Sequence, residues 1–589
     1  MSNKRSEANP AFCWNLKDIF ESNEAWKSAL NEASALIEDA SGFAGKLGTD
    51  KASLKAGLES FYAAAERVER VYIYAMLYSS GDNGDEAAQN MVATATQIYV
   101  DFSAKTAFLS PEILTIDAEK LSSWLSDDDM TVYRHQIEDI CRGREHTLGK
   151  SEETLLAMLG DAAETPRNAF DMFDSVDVRF ANLENGKELT HALFGKYRES
   201  DNADERHDAF EKYFGEYKKY INTISALYAG SVKLDCYKAK VHRYSSALDA
   251  ALFVNNVPTS LYKNLIESVH DGIPTLSRYL ELRRKKLNLE KLNLYDLYVP
   301  LVSDIDSEMP YEQAKALVLD ALKPLGDEYR SLLLRAFNEK WIDVYENEGK
   351  TTGAFSCGVY GVHPYVLLNY ANKYDDAFTL AHELGHSMHS WFSARTQAYA
   401  NNEYAIFVAE VASTVNEVLL THHLLRTETD PRKRAYILNH LLEGFRTTVF
   451  RQTLFAEFEM RTHAMYEQGI PLTASSMNAL YHELNETYYP ACEGTDATDC
   501  EWARIPHFYR AFYVYQYATG FCSAVTIADR ILNHDGAAQY LRFLTTGGSM
   551  YPIDELKIAG VDLTSPQPII DALKIFDKTL NELESLLKN

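Results

Sequence analysis

Residues 382–386 read His-Glu-Leu-Gly-His, and no other stretch constrains the fold as much. The H-E-x-x-H spacing works on a helix, where residues four apart share a face and two imidazoles point at one spot. Two nitrogen ligands one turn apart suit a tetrahedral Zn²⁺, and Glu383 beside them is placed to handle a water proton. Asp375-Asp-Ala-Phe-Thr-Leu-Ala reads as the capped start of that helix. Phe378, Leu380, Ala381, Leu384, Met388, Trp391 and Phe392 pin it in a core. His382, Glu383, His386 and His389 then sit as polar groups in an apolar setting, and such groups need a metal or a hydrogen-bond network.

A catalytic zinc takes three protein ligands and keeps one position open. His389 is one candidate for the third, but a straight helix does not easily wrap three ligands around one ion. Glu403 follows Asn401-Asn402 and reads as a helix-start residue. Glu410 lies in Phe407-Val-Ala-Glu-Val-Ala-Ser-Thr-Val-Asn-Glu417, where it interrupts an apolar helix face and calls for a cation. Glu417, seven residues on along the same face, is suited to orient a ligand from behind. The metzincin pattern fails, because positions 389 and 392 are His and Phe rather than Gly and His.

The rest of the chain bounds the setting. With 589 residues, of which only 28 are Gly and 16 Pro, it favours helix and more than one subdomain. A net charge of −27 argues against nucleic acid and against anionic membrane as partners. No stretch approaches 18 apolar residues and no signal peptide is read at the start, so no membrane span is expected. The seven cysteines are odd in number and scattered, which speaks against a disulfide framework and for a reducing cytoplasm. Oligomeric state is left open.

Helical patterns fill the N-terminal part, and charges and turn formers at 190–204 place a boundary near 200. The expected division is a helical N-terminal domain, 1–200, and a catalytic domain, 201–589. Between long helical patterns, 341–350 and 353–360 alternate β-branched or aromatic residues with glycines and read as strands of a small antiparallel sheet. An extended peptide is often held by adding a strand to a sheet edge, so Gly353, Ala354 and Phe355 are candidate substrate contacts. Further on, helices are expected over 404–425, 432–468 and 505–532, the last rich in tyrosine.

H-E-L-G-H followed by F-V-A-E-V-A-S-T-V-N-E resembles the thimet oligopeptidase family, and within it the oligoendopeptidase F branch. Gly353-Ala-Phe-Ser, Pro364-Tyr365, Arg504-Ile-Pro-His-Phe-Tyr509 and Tyr513-Val-Tyr-Gln-Tyr-Ala-Thr-Gly520 fit the same branch. The likeness covers 200–589 well and the N-terminal part loosely. One departure is Phe355, where many relatives carry Tyr. The resemblance implies a mainly α, zincin-like metallopeptidase with a small sheet beside a deep central cleft. It implies His382, His386 and Glu410 as zinc ligands and Glu383 as the general base acting on zinc-bound water. It also implies transition-state donors after Pro506, where His507 and a tyrosine fit. Tyr513 is preferred and Tyr515 is next, with Tyr509 and Tyr517 competing; Tyr515 is also taken as a substrate contact. The activity expected is cleavage of internal peptide bonds in short, unstructured oligopeptides. The alternatives are a peptidyl-dipeptidase or carboxypeptidase on a related scaffold, and a peptide-binding protein without catalysis, against which the intact Glu383 speaks.

Overall fold

A computed structural model describes residues 4–302 and 308–588. Two compact units emerge. The first consists of Met1–Arg144, Asp306–His423 and Ile527–Val561, the second of Glu145–Ile305, Leu424–Thr526 and Asp562–Asn589. Each is thus assembled from three separated stretches, a division by packing that differs from a cut near 200.

The first unit opens with three long helices, α1 (Asn23–Ser41), α2 (Lys51–Gly81) and α3 (Glu86–Thr106). Side-chain oxygens of Ser22, Asp50 and Asp85 cap their N-termini by accepting from backbone N–H groups two or three residues on. The helices pack on a three-stranded sheet built from β1 (Ile342–Asp343), β2 (Phe355–Cys357) and β3 (Tyr365–Leu367), in the order β1-β3-β2. β3 pairs in parallel with β1 and antiparallel with β2, so the sheet is mixed rather than antiparallel as expected. The reason is that the central strand, β3, lies beyond the two stretches whose alternation is visible in the sequence.

Alternation along β2 decides what it touches. Phe355 and Cys357 pack against the buried cluster that includes Trp14, Tyr74 and Tyr365. Ser356 points the other way, and its Oγ lies 2.8 Å from Ser387 Oγ. Ser387 belongs to α4 (Tyr374–Thr396), the H-E-x-x-H helix. The sheet therefore buttresses that helix directly. Asp376 caps it, its carboxylate accepting from Ala371 N at 2.7 Å and Lys373 N at 2.9 Å. Phe378, Leu380, Ala381, Leu384, Met388 and Phe392 are all buried, as the apolar pattern requires. Next comes α5 (Ile406–Thr427).

The second unit is helical among its described residues, with long elements at Ala203–Lys219, Ile221–Val241, Thr259–Lys286 and Gln567–Lys588. Two expected helices are interrupted. The 432–468 stretch contains a π-helical segment, Phe445–Phe450, between Pro431–Gly444 and Arg451–Glu467. The 505–532 stretch becomes a regular helix only from Tyr515, after a short 3-10 turn at Pro506–Tyr509.

Candidate metal centre

α4 and α5 bring the expected ligands together. The ligand atoms of His382, His386 and Glu410 lie within 4.8 Å of one another, and among the described residues this is the group suited to an ion. Glu410 Oε2 is 3.4 Å from His382 Nε2 and 3.6 Å from His386 Nε2. Two donors each about 2.1 Å from one tetrahedral ion lie roughly 3.4 Å apart, so the spacing fits a shared Zn²⁺-sized cation. His382 Nδ1 lies 2.9 Å from Glu417 Oε1, which fixes the ring so that Nε2 is the nitrogen turned to Glu410. The donor set and this carboxylate behind His382 fit a zinc site.

Electrostatics points the same way. Burial opposes charge on His382, but the hydrogen bond it donates to Glu417 and the fields of Glu417, Glu383 and Glu410 raise its pKa to about 9. Glu410 is lowered to about 2, chiefly by its contact with His386 and against the effect of burial. A site rich enough in carboxylate to hold a proton on imidazole favours a divalent cation in the same place. Glu383 is 6% exposed, and burial raises its pKa, partly offset by His382 and His386. A carboxylate made more basic in this way is a better proton acceptor.

His389 does not join the group. It is fully buried, stacked on Tyr404 at 3.6 Å, and burial lowers its pKa to about 3. Glu403 is not among the three residues either.

The geometry depends on one residue that the sequence reading passed over. A Cβ on Gly385 would meet Ser413 Cα at 2.5 Å and Ala412 O at 2.6 Å. α4 and α5 thus touch backbone to backbone at the centre of the ligand set. Asn416 ties them as well, donating to Ala381 O at 3.0 Å while accepting from Tyr329 Oη at 2.9 Å. Glycine in a helix interior costs about 1 kcal/mol relative to alanine, which is the signal that something must come close. Gly385→Ala should nevertheless destabilise, by about 1–3 kcal/mol, because backbone cannot yield as a side chain would. Denaturant melts should show this, together with weaker zinc retention. Unchanged stability and zinc content would mean that the two helices can separate freely.

In the second unit His507, Tyr513 and Tyr517 form one group of rings. His507 lies 6.4 Å from Tyr513 and 6.1 Å from Tyr517, and the two tyrosines are 5.4 Å apart. Arg510 sits 4.1 Å over Tyr513. His507 is exposed; partial burial and Arg510 lower its pKa, which favours the neutral ring. These residues do not share one helix face as expected. Phe512 adopts a left-handed backbone, φ 56°, with its N–H donating to buried Glu459 at 3.0 Å, and this turn ends the helical path. Tyr515, expected next to Tyr513 in role, is 2% exposed and packs on Tyr262 at 5.1 Å. Phe355 is partly buried and packs against the cluster beneath the sheet. Gly353, just before β2, has φ 81°, and its carbonyl accepts from Asn369 at 2.8 Å.

A helical scaffold with an H-E-x-x-H helix against a carboxylate-bearing helix defines a metallopeptidase class. Residues 196–575 match Peptidase family M3, and residues 112–180 match the description Oligopeptidase F. Oligopeptidase PepF of Bacillus subtilis is 42% identical over 99% of this chain and 88% of its own length. Group B oligopeptidase PepB of Streptococcus agalactiae is 38% identical over 100% of this chain and 99% of its own. The crystal structure of oligoendopeptidase-F from Enterococcus faecium, 36% identical, superposes with a TM-score of 0.74 over 96% of this chain and 99% of that one. The chain belongs to peptidase family M3, in its oligoendopeptidase F branch.

Proposed function

We propose that this M3 peptidase is a zinc-dependent endopeptidase that cleaves short, unstructured oligopeptides in the cytoplasm. The observation that carries the reading is the His382–His386–Glu410 group with buried Glu383 on the same helix. The oligopeptidase names of the relatives support the substrate class. The odd number and scatter of the seven cysteines along the sequence support a reducing compartment. Among the described residues, no helix is long and apolar enough to cross a membrane.

When bound by His382, His386 and Glu410, zinc supplies a Lewis acid that polarises the scissile carbonyl and acidifies water. Glu383 takes the proton of the attacking water and delivers it to the leaving amine nitrogen. Glu417 holds His382 in the tautomer that leaves Nε2 as the ligand atom. β2 is an outer strand of the sheet, and its free backbone edge is suited to hold an extended peptide, with Gly353 and Ala354 in the turn that leads into it. Residues 201–589 are read as the catalytic domain and 1–200 as the N-terminal one; the family match beginning at 196 supports this division.

For donors to the oxyanion we retain His507 and Tyr513 and add Tyr517, because these three rings form one group. His507→Ala and either Tyr513→Phe or Tyr517→Phe should lower kcat by on the order of 10²-fold with little change in KM. Tyr515→Phe should leave both near wild type. A KM effect alone at His507 would make it a binding residue.

The decisive experiment incubates the enzyme with a mixed peptide library, with C-terminally amidated peptides and with a folded small domain, each with and without chelator, and maps products by mass spectrometry. Internal cleavage of the short peptides, indifferent to amidation and silenced by chelator, is expected. Cleavage that requires a free C-terminal carboxylate would replace the endopeptidase reading with an exopeptidase one. Efficient digestion of the folded domain would overturn the restriction to oligopeptides.

A further inference from the structure

Five arginines converge in the second unit around two carboxylates. Arg451 Nη2 lies 2.6 Å from Glu501 and Arg504 Nη2 3.8 Å from the same side chain. Arg446 Nη2 lies 2.6 Å from Glu443, which Arg283 Nη1 also meets at 3.1 Å. The fifth, Arg198, has no carboxylate partner among the described residues and sits 3.9 Å over the ring of Tyr298. Arg446 lies 4.8 Å from the same ring, which joins the two groups.

The charges do not balance. An arginine does not shed its proton in a protein, so five guanidiniums against two carboxylates leave a surplus of positive charge in a largely buried region. An unpaired buried charge costs several kcal/mol. The hydrogen bonds do not close either. Arg198 Nε, Arg283 Nε, Arg446 Nη1, Arg504 Nε and Tyr489 Oη are all buried without a partner. Such groups rarely stay unsatisfied without a ligand or ordered solvent. The one phenol placed to answer the surplus is Tyr298. Burial would raise its pKa, but Arg451, Arg198 and Arg446 bring it down to about 8, so it is mostly protonated near neutrality.

A small, partly open cavity lies here, lined among others by Arg198, Arg451, Tyr298, Tyr489 and Glu501. Its volume of about 20 Å³ leaves room for one water-sized particle. Tyr489 is 4% exposed and lines it.

We propose that this cavity is a site for one small monovalent anion, of the size and charge of chloride, held by Arg198 and Arg451 with Tyr489 Oη as a further donor. The anion offsets part of the surplus charge and supplies an acceptor to Arg198 Nε and Tyr489 Oη, the two of these unmet groups whose residues line the cavity. Water of the same size supplies the acceptor but not the charge, and this makes the site selective for a halide. The proposal is independent of the peptidase reading.

Crystals of the full wild-type chain grown in sodium bromide, with data collected at the bromine edge, should show an anomalous peak in the cavity between Arg198 and Arg451. In solution, chloride should raise the melting temperature saturably, by a few degrees, over isethionate at equal ionic strength. Arg198→Met should abolish the saturable part. Absence of the peak together with equal melting in the two salts would overturn the proposal. So would a saturable chloride effect that survives unchanged in Arg198→Met, since the halide would then act elsewhere. If Arg198→Met does not fold, the wild-type bromide map decides alone. A tyrosinate band at 295 nm that appears near neutral pH and ignores chloride would mean that Tyr298, not a halide, carries the counter-charge.

Discussion

Glu383→Gln is expected to keep its zinc and lose turnover by about 10³-fold or more. The carboxamide has nearly the same shape as the carboxylate and leaves His382, His386 and Glu410 untouched, but it cannot accept a proton. Glu383 is buried, so the substitution also removes a charge from a poorly solvated place, and folding should not suffer. The pair of measurements is zinc content after dialysis and kcat on a short peptide. More than about a tenth of wild-type activity would show that another group takes the proton.

The second large effect concerns the metal itself. His382→Ala, His386→Ala and Glu410→Ala should each strip zinc on dialysis, because each removes one of three ligands from an ion that needs all of them. Glu417→Gln should be milder, on the order of 10–100-fold in affinity, since the amide can still occupy the position behind His382 without the charge. Metal analysis at fixed free zinc ranks the four variants. Full retention in Glu410→Ala would send the search for a third ligand back to Glu403 or His389. An equal loss in Glu417→Gln and Glu410→Ala would mean that Glu417 binds the ion directly.

The metal centre was legible because its logic is local. Four-residue spacing on a helix, and an acidic residue interrupting an apolar face, can both be read without knowing what packs where. Gly385 could have been read the same way, since a glycine inside a strong helical pattern signals a close approach. What escaped depends on partners far away in the chain. β3 is recognisable as a strand only from its pairing with β1 and β2, more than twenty residues upstream in one case. The turn at Phe512 is held by Glu459, more than fifty residues earlier, so the tyrosine pattern from 505 to 532 looked like one unbroken helix. The break also separates Tyr515, which is buried, from Tyr513 and Tyr517, whose rings meet His507. The 353–360 stretch does contain a strand, β2, but which of its side chains face inward follows from the cluster beneath it.

Both compact units draw on chain stretches separated by hundreds of residues. During synthesis the first unit cannot be completed until Val561 has left the ribosome. At about 5–20 residues per second, the 134 residues from Thr427 to Val561 leave its sheet, α4 and α5 without their last packing partners for roughly 7 to 30 seconds. The N-terminal helices can form earlier still, but the apolar face that β2 and β3 will cover stays open to wrong partners until those strands emerge. Chaperone demand, and sensitivity of yield to translation speed, are therefore built into the connectivity of the chain.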